Sequence, residues 1–314
     1  HAGRVPGGAD LVCYWFEQAR AMIEAGTLQR AGLVATNSIR GGANRAVLDR
    51  IVKSTRIFEA WSDEPWVNLG AAVRVSLVGF GHSPFEPRLH GQDVAEIGAD
   101  LQSSASIDTA GDLTSALKLK QSAGACFMGV TKVGPFDVEG THARAWLSLP
   151  CVNGLSNAAV LRRSWNGMDV TRRERDMWIL DFGVAMTESD AKGFDAPYEY
   201  AARVIQPFRA TNNREAYRKF WWRHGEARPG LRGLLAPLLR YIVTPEVAKH
   251  RLFVWAPTCV LPDKNLQVVP RADDTTFGIL HSRLHELWSL RLCTWMGKGN
   301  DPRYTPRSEE HTSE

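Results

Sequence analysis

No two cysteines stand close together in this chain. The five, Cys13, Cys126, Cys151, Cys259 and Cys293, form no C-x-x-C pair, so no zinc or redox site is signalled. An odd, scattered set fits reduced, packed thiols in the cytoplasm. No apolar run approaches the roughly 20 residues that cross a bilayer, so no membrane partner is expected. No basic stretch followed by an apolar one opens the chain, which excludes a signal peptide. Beginning on His1, it reads as the middle of a longer protein. Repeats and extensive low-complexity tracts are absent. No Pro-Pro pair occurs anywhere, and Gly79-Phe80-Gly81 is the Gly-x-Gly that follows an expected strand. Lacking a third glycine and a βαβ setting, it reads as a turn. Ser76 and Ser282 have no nucleophile-elbow context, so a hydrolase triad has no support. His281 and His285 are four apart on an expected helix, but the zinc-protease Glu is missing and Arg283 stands nearby. Packing or phosphate contact is expected of them, and no metal. Asp273-Asp274 reads as a capped turn before a helix.

What the chain does have is length and arginine. Its 314 residues, 44% hydrophobic and 23% charged, suit a globular protein of about two domains. The formal charge is +4, and it is unevenly spread: residues 151–251 hold 17 Lys or Arg against 11 Asp or Glu, and 14 of the 17 are Arg. A planar guanidinium fork matches phosphates and guanine edges. Arginine excess with interleaved aromatics points to nucleic acid, with a solvated basic face as the plain alternative.

Apolar spacing predicts a helix over 9–25 with Asp10 as its cap, a strand over 32–36, a loop over 37–43 and a helix over 44–53. Strands follow at 56–61 and 71–80. The second is nearly continuous in apolar character and suits a central position. Helix, strand, helix, strand, strand is the back half of a doubly wound α/β domain. The Pro-, Gly- and Ser-rich 82–122 reads as a connection, weakest at 103–110. A second domain begins near Gly124, with strands at 127–130, 178–182, 253–255 and 266–269 and helices at 198–204, 214–224 and 277–295.

An ordered series of rare residue types runs through the last quarter: Arg240-Tyr241-Ile242, Thr244-Pro245, Val247-Ala248-Lys249-His250-Arg251, Phe253-Val254-Trp255, Leu261-Pro262-Asp263, DDTTFGILHSRLHELWSLR from Asp273, and Pro302-Arg303-Tyr304-Thr305-Pro306. The series resembles the target-recognition domain of the MmeI-like (type IIL restriction-modification) adenine-specific DNA methyltransferases, and the resemblance covers nearly all of residues 3–306. It implies an α/β fold: a partial class I (Rossmann-like) methyltransferase sheet over 1–90, a connecting segment over 91–123, and a mixed α+β DNA target-recognition domain over 124–306. The strand before Thr36 would lie beside the catalytic strand, and the last two strands would form an antiparallel hairpin at the sheet edge. RSEEHTSE (307–314) reads as a non-native tail from adapter DNA. It carries one Arg and three Glu, so the rest of the chain is more basic still.

The resemblance implies methyl transfer from S-adenosylmethionine to adenine N6 in double-stranded DNA, by a full-length enzyme. It also implies which parts are missing. A glycine loop must let the backbone approach the cofactor, and an Asn/Asp-Pro-Pro-aromatic tetrapeptide must hold the flipped base. Neither is present, so no catalytic or cofactor-binding residue is assigned and the fragment is expected to be inactive alone. Trp66 is the base-flipping candidate, against an ordinary core role. Arg40 and Arg45, in a loop that opens a helix, are phosphate candidates. In the second domain Arg162, Arg163, Asn166, Arg172 and Arg173 fit phosphate positioning and base reading, beside Asn153-Gly154 and Asn157. Lys249, His250 and Arg251 are the preferred base-reading segment. Tyr217, Phe220, Trp221 and Trp222 read as a core-facing stripe rather than a stacking platform. The rival reading is a stand-alone DNA-binding specificity module without catalysis.

Overall fold

A computed structural model describes residues 3–68, 71–103, 117–118, 122, 124–150, 154–293, 295–296, 301–306 and 311–312. Cys151, Asn153, residues 104–110 of the connecting stretch and most of the 307–314 tail lie outside the described residues. The chain divides into two compact units. One comprises His1–Leu119, Trp288–Arg303 and His311–Glu314, the other Lys120–Leu287 and Tyr304–Glu310. The described residues form a mixed α/β protein, and none of their helices is long and apolar enough to cross a membrane.

The first unit begins with α1 (Val12–Glu24), β1 (Arg30–Thr36), α2 (Gly42–Ser54), β2 (Arg56–Asn68), β3 (Ala71–Gly81), β4 (Arg88–Leu89), β5 (Gln92–Asp93) and β6 (Leu117–Lys118). The first five form one sheet in the order β1-β3-β2-β4-β5. The most apolar strand, β3, is central, as its pattern predicts. Both β1 and β2 run antiparallel to it, and so parallel to each other. The β2–β3 hairpin expected at the sheet edge lies inside it, because β4 adds to β2 in parallel. Gly79-Phe80-Gly81 is no turn but the end of β3, where Phe80 faces Ala31 and Ile57 across the ladder. Its glycines serve close packing: at Gly81, with φ +123, a Cβ would stand 2.4 Å from the Gln29 carbonyl.

One face of this sheet is filled. Phe16 and Ile23 of α1 and Val47, Leu48 and Ile51 of α2 are buried with Ile57, Val78 and Phe80, and the rings of Phe16 and Phe80 stack at 5.9 Å. Full burial of each such side chain stabilises by about 1.5–3 kcal/mol. The opposite face is open. Val34, Leu77 and Trp61 are cross-strand neighbours and line a groove of about 430 Å³ with Phe58, Gly32 and Gly79. Val34 is 45% exposed. The outer side of β1 pairs with no strand among the described residues. On α1, Leu11, Trp15 and Met22 face solvent, Trp15 at 53% exposure.

The second unit carries β7 (Phe127–Met128), β8 (Asp137–Glu139), α3 (Gly140–Leu147), β9 (Leu161–Trp165), α4 (Gly167–Thr171), β10 (Met177–Leu180), α5 (Glu188–Lys192), α6 (Asp195–Ala210), α7 (Glu215–Lys219), α8 (Pro229–Leu235), β11 (Arg240–Pro245), β12 (Val254–Pro257), β13 (Val260–Pro262), β14 (Leu266–Val269) and α9 (Asp274–Leu280). Next in the chain is α10 (Arg283–Leu292), and the short β15 (Trp295–Met296), β16 (Asp301–Pro302) and β17 (His311–Thr312) belong to the first unit. The strand β15 pairs with β16, and β17, from the tail expected to be foreign, pairs with β6. Two four-stranded sheets organise the second unit, β13-β9-β10-β8 and β12-β11-β14-β7.

Several expected helices are shorter. The 277–295 helix breaks at His281-Ser282. The His281 ring Nδ1 donates to the Phe277 carbonyl at 2.9 Å, and Ser282 Oγ accepts from His285 N at 3.2 Å as a fresh cap. Asp273 caps α9 through Thr276 N at 2.8 Å, as its sequence position suggests. The 214–224 helix stops at Lys219, because Trp221 and Trp222 turn into the core while Phe220 stays exposed. Near them α6 delivers Arg209, wholly buried. Its Nη2 donates to the Lys132 and Arg223 carbonyls at 2.8 and 2.9 Å, and its guanidinium lies 5.5 and 5.0 Å from the Phe136 and Tyr217 ring centres.

Candidate nucleic-acid interface

In the first unit, the candidates gather where β1 and β2 end. Thr36 of β1 and Glu64 of β2 both pair with Val75, so the Asn37–Arg40 turn and Trp66 lie toward the same end of the sheet. Asp10 does not cap α1, whose N-cap is Leu11 with no side-chain bond. Instead, Asp10 Oδ2 accepts from Asn44 Nδ2 at 2.7 Å and Ser38 Oγ at 3.0 Å, and Asn44 Oδ1 accepts from Asp10 N at 2.8 Å. This ties the start of α1 to the loop after β1. Alongside, Asp63 takes Arg74 Nε and Asn37 Nδ2 at 2.9 and 3.1 Å. Burial pushes the Asp63 carboxyl up, but the bonds from Arg74 and Asn37 outweigh it and hold it below the usual value.

Arg40 is half-buried and donates to the Asn37 carbonyl at 3.5 Å; burial lowers its pKa against the pull of Asp63 and Asp100. Arg45 pairs with Asp49 at 3.2 Å. Trp66 is 44% exposed, beside the equally exposed Val73 with which it pairs. It is therefore a surface ring and not a core one.

In the second unit, β9 leads into α4 through a closed capping box. Asn166 Oδ1 accepts from Met168 N, and Asp169 Oδ2 from Asn166 N, both at 2.8 Å. The Asn166 carboxamide oxygen, expected to be free for DNA, is thus spent on the helix. Asp169 also receives Arg175 through Nε and Nη2 at 2.9 and 2.7 Å. At the far end of α4, Arg172 and Arg173 are exposed, with no partner among the described residues.

Two further segments reach this corner. A Cβ at Gly167 would lie 3.6 Å from Pro245 Cβ and 3.8 Å from the Asn265 carbonyl, and Glu246 N donates to that carbonyl at 2.8 Å. The 263–265 turn is closed by Asp263 Oδ1, which accepts from Asn265 N at 3.0 Å, and it carries Lys264 exposed at its tip. From Glu246 the chain runs on to Lys249 and His250, both exposed. Arg172, Arg173, Lys249 and Lys264 therefore stand on three segments fastened to one another, with no anionic partner among the described residues. Sequence reasoning missed Lys264; the Asp-Lys-Asn order signals an Asx-closed turn with its middle residue outward.

The other arginines differ. Arg251, grouped with Lys249 and His250 as a base reader, points inward: its guanidinium nitrogens are buried and lie 5.3 Å over the ring of the buried Tyr304. Arg163 pairs with Glu174, which also accepts from Trp165 Nε1 at 2.8 Å. Arg162 Nε lies 3.2 Å from Asp181. His281 and His285 pack on Phe253, and His285 Nε2 meets the Tyr304 hydroxyl at 3.1 Å. No cluster of metal-binding side chains occurs among the described residues.

No model of a known protein family matches the chain, and no curated protein matches it. Among solved structures, the type IIL restriction-modification enzyme MmeI in complex with DNA is similar over 96% of this chain, with a TM-score of 0.71 at 19% identity. At that identity the likeness is one of fold. The chain spans 42% of the MmeI chain. The type IIG restriction endonuclease BpuSI aligns over 99% of this chain and 46% of its own, with a TM-score of 0.29 at 9% identity.

Proposed function

We propose that this chain is the DNA-recognition part, with the end of the methyltransferase domain, of a type IIL-like restriction-modification enzyme that methylates adenine N6 in duplex DNA. The observation that carries the recognition half is the α4 corner, where four exposed cations without an anionic partner among the described residues stand on three neighbouring segments. Each phosphate neutralised by such a cation releases condensed counterions, which drives binding. Phosphate contacts from a rigid corner also fix the register in which neighbouring side chains meet base edges.

The methyltransferase half rests on the first unit. Its strand order, with β3 antiparallel between two parallel strands, fits the end of a Rossmann-like methyltransferase sheet. The outer side of β1, with no paired strand among the described residues, and the apolar stripe of Leu11, Trp15 and Met22 suit the docking of preceding strands and helices. A free-standing specificity module, the rival reading, would be expected to cover such an edge. Residues 1–90, 91–123 and 124–306 remain the proposed domain, connector and recognition domain, in a cytoplasmic enzyme.

The residues in hand do not fit an S-adenosylmethionine site. Gly79-Phe80-Gly81 belongs to β3, with Gly81 packed on the Gln29 carbonyl and not arranged around a ligand, so no step is derived through the cofactor. Trp66, exposed at the carboxyl end of β2, is proposed to stack on an extruded base.

Filter binding of a labelled duplex across ionic strength tests the recognition reading. Replacing Arg172, Arg173, Lys249 and Lys264 by Ala should each flatten the slope of log K against log salt by up to about 0.9. Salt-indifferent binding, or an unchanged slope in the fourfold variant, would refute it.

A further inference from the structure

Arg162 and Arg163 are adjacent in sequence, yet their charges stand in different accounts. Arg163 faces one carboxylate, Glu174, and the pair is neutral. Arg162 faces Asp181, which is already taken. Arg232 Nη1 and Nη2 donate to the two Asp181 oxygens at 2.8 and 2.9 Å, and Gly183 N donates at 3.1 Å. The Asp181 side chain is 3% exposed and that of Arg162 is 44% exposed. Arg162 meets the hub as an ion pair, its Nε 3.2 Å from Asp181 Oδ2, and its two Nη groups donate to nothing among the described residues. One negative charge thus serves two guanidiniums, leaving an excess of one positive charge at the surface.

We propose that Arg162 is a preorganised phosphate fork and that the buried Asp181 is its positioning residue. This rests on the DNA-recognition reading above. Arg162 sits on β9, a strand hydrogen-bonded on both sides. The ion pair holds the guanidinium against Asp181 on its Nε side and leaves the two Nη groups, a fork whose spacing matches a phosphate, uncommitted. Orienting the fork in advance lowers the entropy lost on binding.

Salt-dependent binding of a labelled duplex is again the assay, with thermal unfolding of each variant as the check on folding. R162A should flatten the log K–log salt slope by about 0.9, and R163A should leave it unchanged. D181N gives a test of sign. Removing a carboxylate near DNA should tighten binding if only net charge matters, whereas loss of the tether should weaken it several-fold. An unchanged slope in R162A, or tighter binding by folded D181N, would overturn the inference. Should D181N unfold, R162A and R163A decide it alone. If the wild-type chain shows no salt-sensitive affinity, the recognition reading itself falls and this inference with it. If the α4-corner variants respond and R162A does not, only this inference falls.

Discussion

Mild acid should destabilise the second unit through one histidine. His224 is buried, with Nε2 donating to the Leu180 carbonyl at 2.8 Å and Nδ1, 3.9 Å from Asp181, without a hydrogen-bond partner among the described residues. Burial pushes its pKa down from 6.5 to about 4, against the opposing pull of Asp181. A neutral imidazole is therefore the folded form. Because the folded value lies below the unfolded one, the unfolded chain takes up the proton first. The contribution is whole above pH 6.5 and is lost as pH falls from there toward 4. The full difference corresponds to about 3 kcal/mol, of which about 2 kcal/mol is gone by pH 5. The perturbation is a pH series from 7 to 4.5, read by urea unfolding of the wild type and of H224Q. Gln keeps a donor for the Leu180 carbonyl but cannot titrate. The wild type should lose stability over this range, and H224Q should lose about 2 kcal/mol less. Parallel pH profiles for the two proteins would refute the reasoning. Asp181 stays outside the window: burial raises its carboxyl, the Arg232 bonds and charge lower it further, and its contribution fades only below the unfolded value of 3.8.

Three other perturbations have defined outcomes. R209M removes the guanidinium donor from three carbonyls, of which that of Lys132 keeps Gly225 N at 3.2 Å, and should cost about 3 kcal/mol in urea unfolding; a loss below about 1 kcal/mol would show that the Tyr217 and Arg223 carbonyls find other donors. G129A would set a methyl 2.3 Å from the Asp263 carbonyl oxygen, so its midpoint should drop by the equivalent of about 1–3 kcal/mol, and wild-type stability would contradict the packing described. V34K, on the open side of β1, should change stability by less than about 0.5 kcal/mol and reduce self-association in light scattering. A large loss of stability would mean that this strand is covered.

Much of the first unit was legible because its signals are local. The nearly continuous apolar run at 71–80 marks a strand flanked on both sides, and that is where β3 lies. The span 266–269 and the Asp273 cap are likewise fixed by residues within a few positions. The helix break at His281-Ser282 was not legible, since the apolar spacing from Leu280 to Leu292 continues across it; a ring nitrogen competing for the Phe277 carbonyl leaves no trace in periodicity. The site was harder. Arg162, Arg163, Arg172, Arg173 and Arg251 look alike in sequence. What separates them is Asp181, Glu174 and Tyr304, partners 19, 11 and 53 positions away in the chain, against none among the described residues for the exposed pair after α4. Ion pairing is a tertiary fact, so composition finds the basic region but not which of its charges are uncommitted.

The α4 corner divides its labour between hidden and displayed residues. Its shape depends on the Asn166–Asp169 box, the Asp169–Arg175 pair and the backbone bond from Glu246 to Asn265. Its outward chemistry depends on side chains at 172, 173, 249 and 264, which support nothing beneath them. Exchanging those four alters what the surface attracts while the scaffold holds, so new preferences at this corner can be sampled one residue at a time without a folding penalty.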